Sequence, residues 1–402
     1  MALDVFAEQF DNTYQEVFQK ALVAKSVMNT RFEPKLKYGE SVERVAYDIS
    51  GVSVRDTTRG SASTIDSITD SSELLTINLE KEAAFHLSDG EKTQAGPLNP
   101  GQVIGRDIAI KVAGDLDGRC FAEIHNAAYN FDTGDLTTGA STGVPITLSS
   151  TTVPQMTTRM AAKLRAKNNV EPMGNMVFVV DSYAAADIEQ YLMGKDIDIA
   201  GSVFKNGYAG VVRNAQLIVS ERLPGEATYT FTDVNVATKT VTINGVTFLS
   251  KATPAVGGDV DVHATTEEGA VANYVAAINN SESLDASEVG TLYCELTAAN
   301  RKILDDAGIY AIDNGDATFT IRSRSGRMTV STDETNGAVS NNSLCAYYGK
   351  KGAIDLVVQD MKEVDMRPTA DRRGTNIFTS YLAGLKTFAD GSKRFLKVLI
   401  AA

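Results

Sequence analysis

Histidine and cysteine are both scarce in this chain of 402 residues, three of each. His86, His125 and His263 stand in no HExxH or other ligand spacing, so the sequence announces no metal centre. Each reads as a structural or surface histidine. Cys120, Cys294 and Cys345 are odd in number and far apart, which fits neither a disulfide framework nor a zinc spacing. The expectation is a product that is cytosolic when made and never depends on oxidation. Long apolar runs are missing too: no stretch approaches the roughly 18 residues a membrane helix needs. The opening MALDVFAEQFDNTY carries acids where a secretory signal carries bases. Basic charge is in deficit, 38 Lys+Arg against 51 Asp+Glu, for a formal charge of -13. A nucleic-acid-coating protein would show the opposite balance.

Catalytic signatures are equally thin. No GxSxG occurs, and no cysteine lies near a candidate catalytic histidine in sequence. GEKT at Gly90 to Thr93 has Glu91 where a phosphate loop places glycine before Lys92, and it lacks the upstream glycine, so it reads as a turn. FDTGD and DIDIAG are acidic, yet neither has the spacing or closing glutamate of a twelve-residue calcium loop. The expectation is no catalytic residue, no cofactor and no metal.

What is present is a globular composition: 43% apolar, 22% charged, mean hydropathy -0.12. The length suggests two or three domains, or one elaborated one. Phe6, Phe10, Tyr14 and Phe18 recur every four residues, predicting a helix within residues 1–30. RFEPKLKYGES then reads as a polar extended arm. A strand is expected near Val42 to Val54 and its return near Leu74 to Leu79, with a punctuated turn at SDGEKTQAGPLNPG. From Pro100, Ile104, Ile108, Val112, Leu116, Cys120 and Ile124 repeat at spacing four. That is one amphipathic helix of nearly thirty residues, on the order of 40 Å, with Pro100 suited to its first turn. Gly114 and Gly118 weaken it, so packing must hold it.

From Pro154 the pattern alternates helix and strand: a helix in VPQMTTRMAAKLRAKNN, a buried strand in NMVFVVD, a helix in SYAAADIEQYLMG, a strand near Ala215 to Ser220. Residues 225–340 then shift composition, with 16 Asp+Glu against 7 Lys+Arg, which places -9 of the -13 there. They hold a hairpin signal at Asn244-Gly245 and helices in EEGAVANYVAAINN and TAANRKILDDAG. The tail offers strands in AIDLVVQDM, TNIFTSYLAGLKTF and KRFLKVLIA, and Asp390-Gly391 suggests a closing hairpin between the last two. Residues 349–402 carry ten bases against six acids, a mildly basic end to an acidic chain.

Between the first two strands lies RDTTRGSASTIDSITD, residues 55–70, whose large apolar side chains are two isolated isoleucines. Ordering such a finger costs about 1–2 kcal/mol per residue with little local burial to offset it. It becomes worthwhile when a neighbouring subunit supplies contacts, and Arg55, Asp56, Arg59, Asp66 and Asp70 are then its recognition groups. The plainer alternative is a mobile surface loop whose charges only solvate it.

This order of parts resembles that of the major capsid protein of tailed bacteriophages, of the Hong Kong 97 fold. The likeness runs through an arm to Ser41, a loop across Gly51 to Glu80, the stretch LTINLEKEAAFHLSDGEKTQAG, the spine helix from Pro100 and the closing strands after Leu344. It covers essentially the whole chain outside residues 225–340. It implies an α+β fold: an N-terminal arm over 1–47, an extended loop hairpin over 48–82, and a peripheral domain with the spine helix over 83–131. An axial domain over 132–224 follows, then an inserted small α/β domain over 225–340. Residues 341–402 return to the axial domain and the peripheral-domain strands.

The resemblance implies self-assembly into hexamers and pentamers of an icosahedral shell enclosing packaged double-stranded DNA without sequence-specific contact. The protein is then a virion capsid component assembled in the host cytoplasm, with no membrane contact. Its partners are a separate scaffolding protein, a portal protein and, as an option, a decoration protein. Arg372 and Arg373 are read as partners of acids on the neighbouring loop. Residues 52–80 contain no lysine, so no covalent crosslink from the loop is expected. The rival readings are an encapsulin-type bacterial compartment, a phage tail-tube or other virion protein, and an enzyme with a scattered site.

Overall fold

The computed structural model describes residues 13–14, 16–18, 21–33, 40–48, 52–56, 65–88, 100–168, 174–193, 211–212, 215–231, 239–251, 254–261, 266–281, 293–333, 337–368 and 373–401. The chain divides into two compact units, residues 1–113 with 352–393 and residues 114–351 with 394–402. The fold is α+β.

Along the chain, α1 is Ala24–Val27, β1 Ser41–Asp48, β2 Thr69–Ser88 and α2 Pro100–Ala122. A 3-10 turn at Glu123–Asn126 leads to β3 Tyr129–Phe131, α3 Thr133–Thr137 and α4 Thr152–Asn168. Next come β4 Met176–Val180, α5 Ser182–Met193, β5 Val211–Val212, β6 Ala215–Val219 and β7 Gly225–Phe231. Strands β8 Thr240–Ile243, β9 Val246–Lys251 and β10 Asp259–Asp261 precede α6 Glu267–Asn279 and α7 Ala298–Ala307. The chain ends through β11 Tyr310–Asp316, β12 Thr318–Ser323, β13 Val330–Thr332, β14 Gly337–Lys350, β15 Asp355–Pro368, β16 Gly374–Lys386, α8 Ala389–Ser392 and β17 Phe395–Ala401.

In the first unit, β1, β2, β16 and β15 form an antiparallel sheet in that order. β2 is far longer than its alternation predicted. Its first part, Thr69 to Thr76, pairs with β1, and its second, Ile77 to Ser88, pairs with β16. The small core on this sheet is Phe32, Leu75, Val357 and Phe388, with Val42 and Ile77 against it. Of the N-terminal repeat, Tyr14 and Phe18 are buried and stack at 5.9 Å, while Phe6 and Phe10 lie outside the described residues.

The second unit is built on a sheet of order β11-β12-β7-β14-β4-β6-β5, with β17 on β14 and β3 on β17. β4 is buried at every position and runs parallel to β6, with α5 between them in sequence. A parallel pair needs such a crossover. Residues 225–340 build one large hydrophobic cluster around Tyr229, Tyr274 and Phe319. Their strands β7 and β12 nevertheless continue the sheet to which β14 and β4 belong. The second sheet, β10-β9-β8-β13, turns at Asn244 and Gly245, whose φ values of 48° and 81° are those of the predicted two-residue hairpin.

The spine is shorter than expected: α-helix to Ala122, then the 3-10 turn. Its stripe is buried at Val112, Leu116, Cys120 and Ile124 and half-buried at Ile104 and Ile108. Gly118 has a packing reason, since a Cβ there would stand 3.1 Å from the Arg324 carbonyl oxygen.

One expectation fails. Asp390-Gly391 closes no hairpin: β16 pairs with β2 and β15, whereas β17 pairs with β14 and β3. The intervening residues form the helical turn α8 instead. Gly391 is small because a Cβ would stand 2.3 Å from the Ala353 carbonyl oxygen, and Asp390 is drawn to Arg44. Both long-range contacts were invisible to a local turn rule.

Candidate functional site

The stretch from Ser41 to Thr76 has an unusual solvent balance. Along β1 and the first part of β2, eight register pairs run from Ser41↔Thr76 to Asp48↔Thr69. That is a two-stranded ribbon about 26 Å long at about 3.3 Å per residue, and among the described residues it has no third strand. Opposed residues share a face. One face carries Val42, Arg44, Glu73 and Leu75, and it is held down. Leu75 is fully buried, Arg44 pairs with Asp390 at 2.6 Å and covers the Phe388 ring at 5.0 Å, and Glu73 accepts the Ala389 N–H.

The other face carries Ser41, Glu43, Val45, Asp70, Ser72, Leu74 and Thr76, all exposed. Val45 and Leu74 are 49% and 51% accessible. Past the paired residues, Val52, Val54, Ile65 and Ile68 are exposed as well. A ribbon of two strands is marginal alone, and burying such side chains against another surface would gain about 25 cal/mol per Å².

The residues expected to recognise a neighbour divide. Arg55 and Asp66 find each other, at 2.8 Å, and Asp66 also accepts the Ser53 N–H at 2.8 Å. The Ser53 N–H first and the Arg55 guanidinium second hold the Asp66 carboxyl below its usual range. This pair closes the neck of the loop. Asp56 is exposed, and Asp70 stands on the exposed face of the ribbon. Arg373 is exposed just before β16, while Arg59 and Arg372 lie outside the described residues.

A second constellation went unseen in the sequence. Glu226 of β7 lies directly opposite Arg322 of β12, and its Oε2 accepts the Arg322 Nε–H at 3.0 Å. Lys397 of β17 donates to Glu226 Oε1 at 3.1 Å, and His125 Nδ1 lies 3.1 Å from Glu226 Oε2. Cys345 of β14 completes a group of nitrogen, oxygen and sulfur atoms within 4.8 Å of one another. A register shift in β14 between Ser340 and Ser343, flanking Asn341 at φ 57°, adjoins the group. Burial would raise the Glu226 pKa, but His125, Lys397 and Arg322 together hold the carboxyl well below its usual range.

The trio His125, Glu226 and Cys345 has the donor types of a metal or nucleophilic site, and its state argues against both. Cys345 is fully buried, and burial above all pushes its thiol up to about 12, so it is no nucleophile at neutral pH. Both Glu226 oxygens already serve two cations, which repel a third. One sequence signal was available: Lys397 is the sole charge in the apolar run FLKVLIA, and its side chain is 7% exposed.

The other motifs resolve structurally or fall outside view. In FDTGD, Asp132 caps α3 and accepts N–H groups of Gly134, Thr142 and Gly143, while Asp135 pairs with Lys163 at 2.6 Å. His86 Nδ1 lies 2.8 Å from Asn376 Oδ1. GEKT, DIDIAG and His263 lie outside the described residues.

No family model and no curated protein matches the chain. Among solved structures it is similar to one from Mycobacterium phage Che8, with TM-score 0.49 and 13% identity over 93% of this chain and 90% of that chain. It is also similar to the capsid structure of the cyanophage P-SCSP1u, at TM-score 0.44 and 12% identity over 90% and 84% of the two chains. The mature capsid of bacteriophage PhiM1 gives TM-score 0.45 and 10% identity over 89% and 82%.

Proposed function

We propose that this chain is the major capsid protein of a tailed bacteriophage, a non-enzymatic subunit that assembles into hexamers and pentamers of an icosahedral shell around double-stranded DNA. The observation that carries the reading is the ribbon of β1 and β2. It is anchored on one face by Leu75, Arg44 and Glu73, and on the other it presents Val45 and Leu74 to solvent beside strand edges that have no partner among the described residues. A single subunit has no use for large apolar side chains exposed on a two-stranded extension, whereas a subunit that overlaps its neighbour does.

In this reading the arm is 1–47, the extended loop 48–82, the peripheral domain 83–131, the axial domain 132–224, the inserted domain 225–340 and the return 341–402. Asp56, Asp70, Arg59, Arg372 and Arg373 are the inter-subunit charges, while Arg55 and Asp66 shape the loop that presents them. With no lysine in residues 52–80, the shell is held without a crosslink from the loop. A separate scaffolding protein, a portal protein and a decoration protein are the partners this assembly would call on, within a virion built in the host cytoplasm.

Negative-stain electron microscopy of the protein expressed alone, and then with its neighbouring open reading frames, tests the proposal. The expected result is closed shells, or capsomers that become shells when a scaffold is supplied. A monodisperse monomer or dimer under every condition overturns it, and uniform tubes would favour a tail-tube protein.

A further inference from the structure

The buried cluster around Glu226 serves nothing in the shell reading, and its charge arithmetic is lopsided. One carboxylate faces two permanent cations, Arg322 from β12 and Lys397 from β17, at 3.0 and 3.1 Å. The Lys397 and His125 side chains are 7% and 3% exposed. The ring of His125 lies against the same carboxylate oxygen that Arg322 uses. From β14 the facing titratable group is the thiol of Cys345, and on the turn of His125 itself the side chain of Glu123 is engaged by Asn126 at 2.9 Å. His125 Nε2 is buried without a hydrogen-bond partner. A proton on this ring would therefore put a third positive charge beside a carboxylate already shared by two.

We propose that His125 is an acid-sensitive latch: neutral, it lets the turn Glu123–Asn126 seat against β7, β14 and β17, and its protonation drives that turn away from the sheet. The turn follows directly on α2 and precedes β3, whose partner is β17. What loosens is therefore the junction between the end of the spine and the sheet's edge. The ligand of this site is the proton, and the responsive element is a four-residue turn that buries the His125 ring beside Ile124.

The sign follows from the environment. Burial first, and then Arg322 and Lys397, disfavour the charged ring, outweighing the pull of Glu226, and the His125 pKa lies below that of a free histidine. The unfolded chain binds that proton near pH 6.5. The stability associated with neutral His125 is thus present above about pH 6.5 and is lost as pH falls through that value.

The test uses the intact chain, which has only three histidines. Labelling histidine Cε1 with carbon-13 gives three ring signals, assigned with His86→Gln and His125→Gln. The expected result is that the His125 signal titrates below the ordinary histidine value of about 6.5. Amide exchange in residues 123–131 and 395–400, corrected for its intrinsic pH dependence, should then accelerate between pH 7 and pH 5. The acceleration is about ten-fold where folded and unfolded states differ ten-fold in proton affinity. His125→Gln should remove that acceleration and leave the exchange of β15 and β16 unchanged. A His125 ring that titrates at or above about 6.5 in the unsubstituted protein overturns the proposal, whatever the variant does. So does an acceleration that persists in His125→Gln.

Discussion

The ribbon of β1 and β2 and the cluster around Glu226 invert the usual distribution of residue types. In the ribbon, Val45 and Leu74 face water; in the cluster, lysine, arginine, glutamate and histidine face each other largely away from it. The difference teaches where each region finds its partners. The cluster's carboxylate finds its cations within one chain, Arg322 directly opposite it in the neighbouring strand and Lys397 from β17. The exposed Val45 and Leu74 of the ribbon have no such cover among the described residues, and in the proposed reading a neighbouring subunit supplies it.

The comparison can be broken from either side. The largest effect is expected for Glu226→Gln, which leaves Lys397 and Arg322 buried beside a neutral amide. Removing one partner of a buried ionic group costs about 3–5 kcal/mol. Arg322 is a quarter exposed, so the low end of that range should appear in urea denaturation. If unfolding is unchanged, the cluster is not the internal lock described above.

Next in size is Leu75→Ala on the anchored face of the ribbon. Emptying a site shared with Phe32, Val357 and Phe388 should cost about 2–4 kcal/mol by the same measurement. Its neighbour makes the sharper contrast. Leu74→Ser, on the exposed face, should change the stability of the isolated subunit by less than about 0.5 kcal/mol while preventing closed shells in electron micrographs. Shells that form normally with Leu74→Ser and Val45→Ser combined would remove the ribbon's outer face from the interface. The smallest effect belongs to the loop neck. Arg55→Ala should leave the thermal midpoint in place and move the Asp66 carboxyl back up toward its ordinary range, short of it because the Ser53 N–H remains, as followed by carboxyl NMR titration.

Periodicity carried much of the fold. The spacing-four stripe from Ile104 to Ile124 located the spine, and the buried run MVFVV located β4. Asn244-Gly245 turned where two left-handed residues were required. Local rules failed where partners were remote. Asp390-Gly391 looked like a hairpin because a turn signal does not say which strands it joins. The length of β2 was underestimated because its second half is polar on exposed positions and is held by β16, nearly three hundred residues on. At the candidate site, the finger was legible as a polar insertion, but the pairing of Arg55 with Asp66 and the exposed Val45 and Leu74 were not. Strand register decides which of two alternating faces is covered.

By itself, the sequence determined the element types, the amphipathic spine, the acidic middle segment and the absence of any recognisable catalytic spacing, because all of these are local or compositional. Only the tertiary structure decided that Glu226, Arg322, Lys397, His125 and Cys345 share one buried volume, and that Leu75 is inside while Leu74 is outside. Those outcomes depend on strand partners far apart in the chain, and a linear pattern carries no record of distance in space.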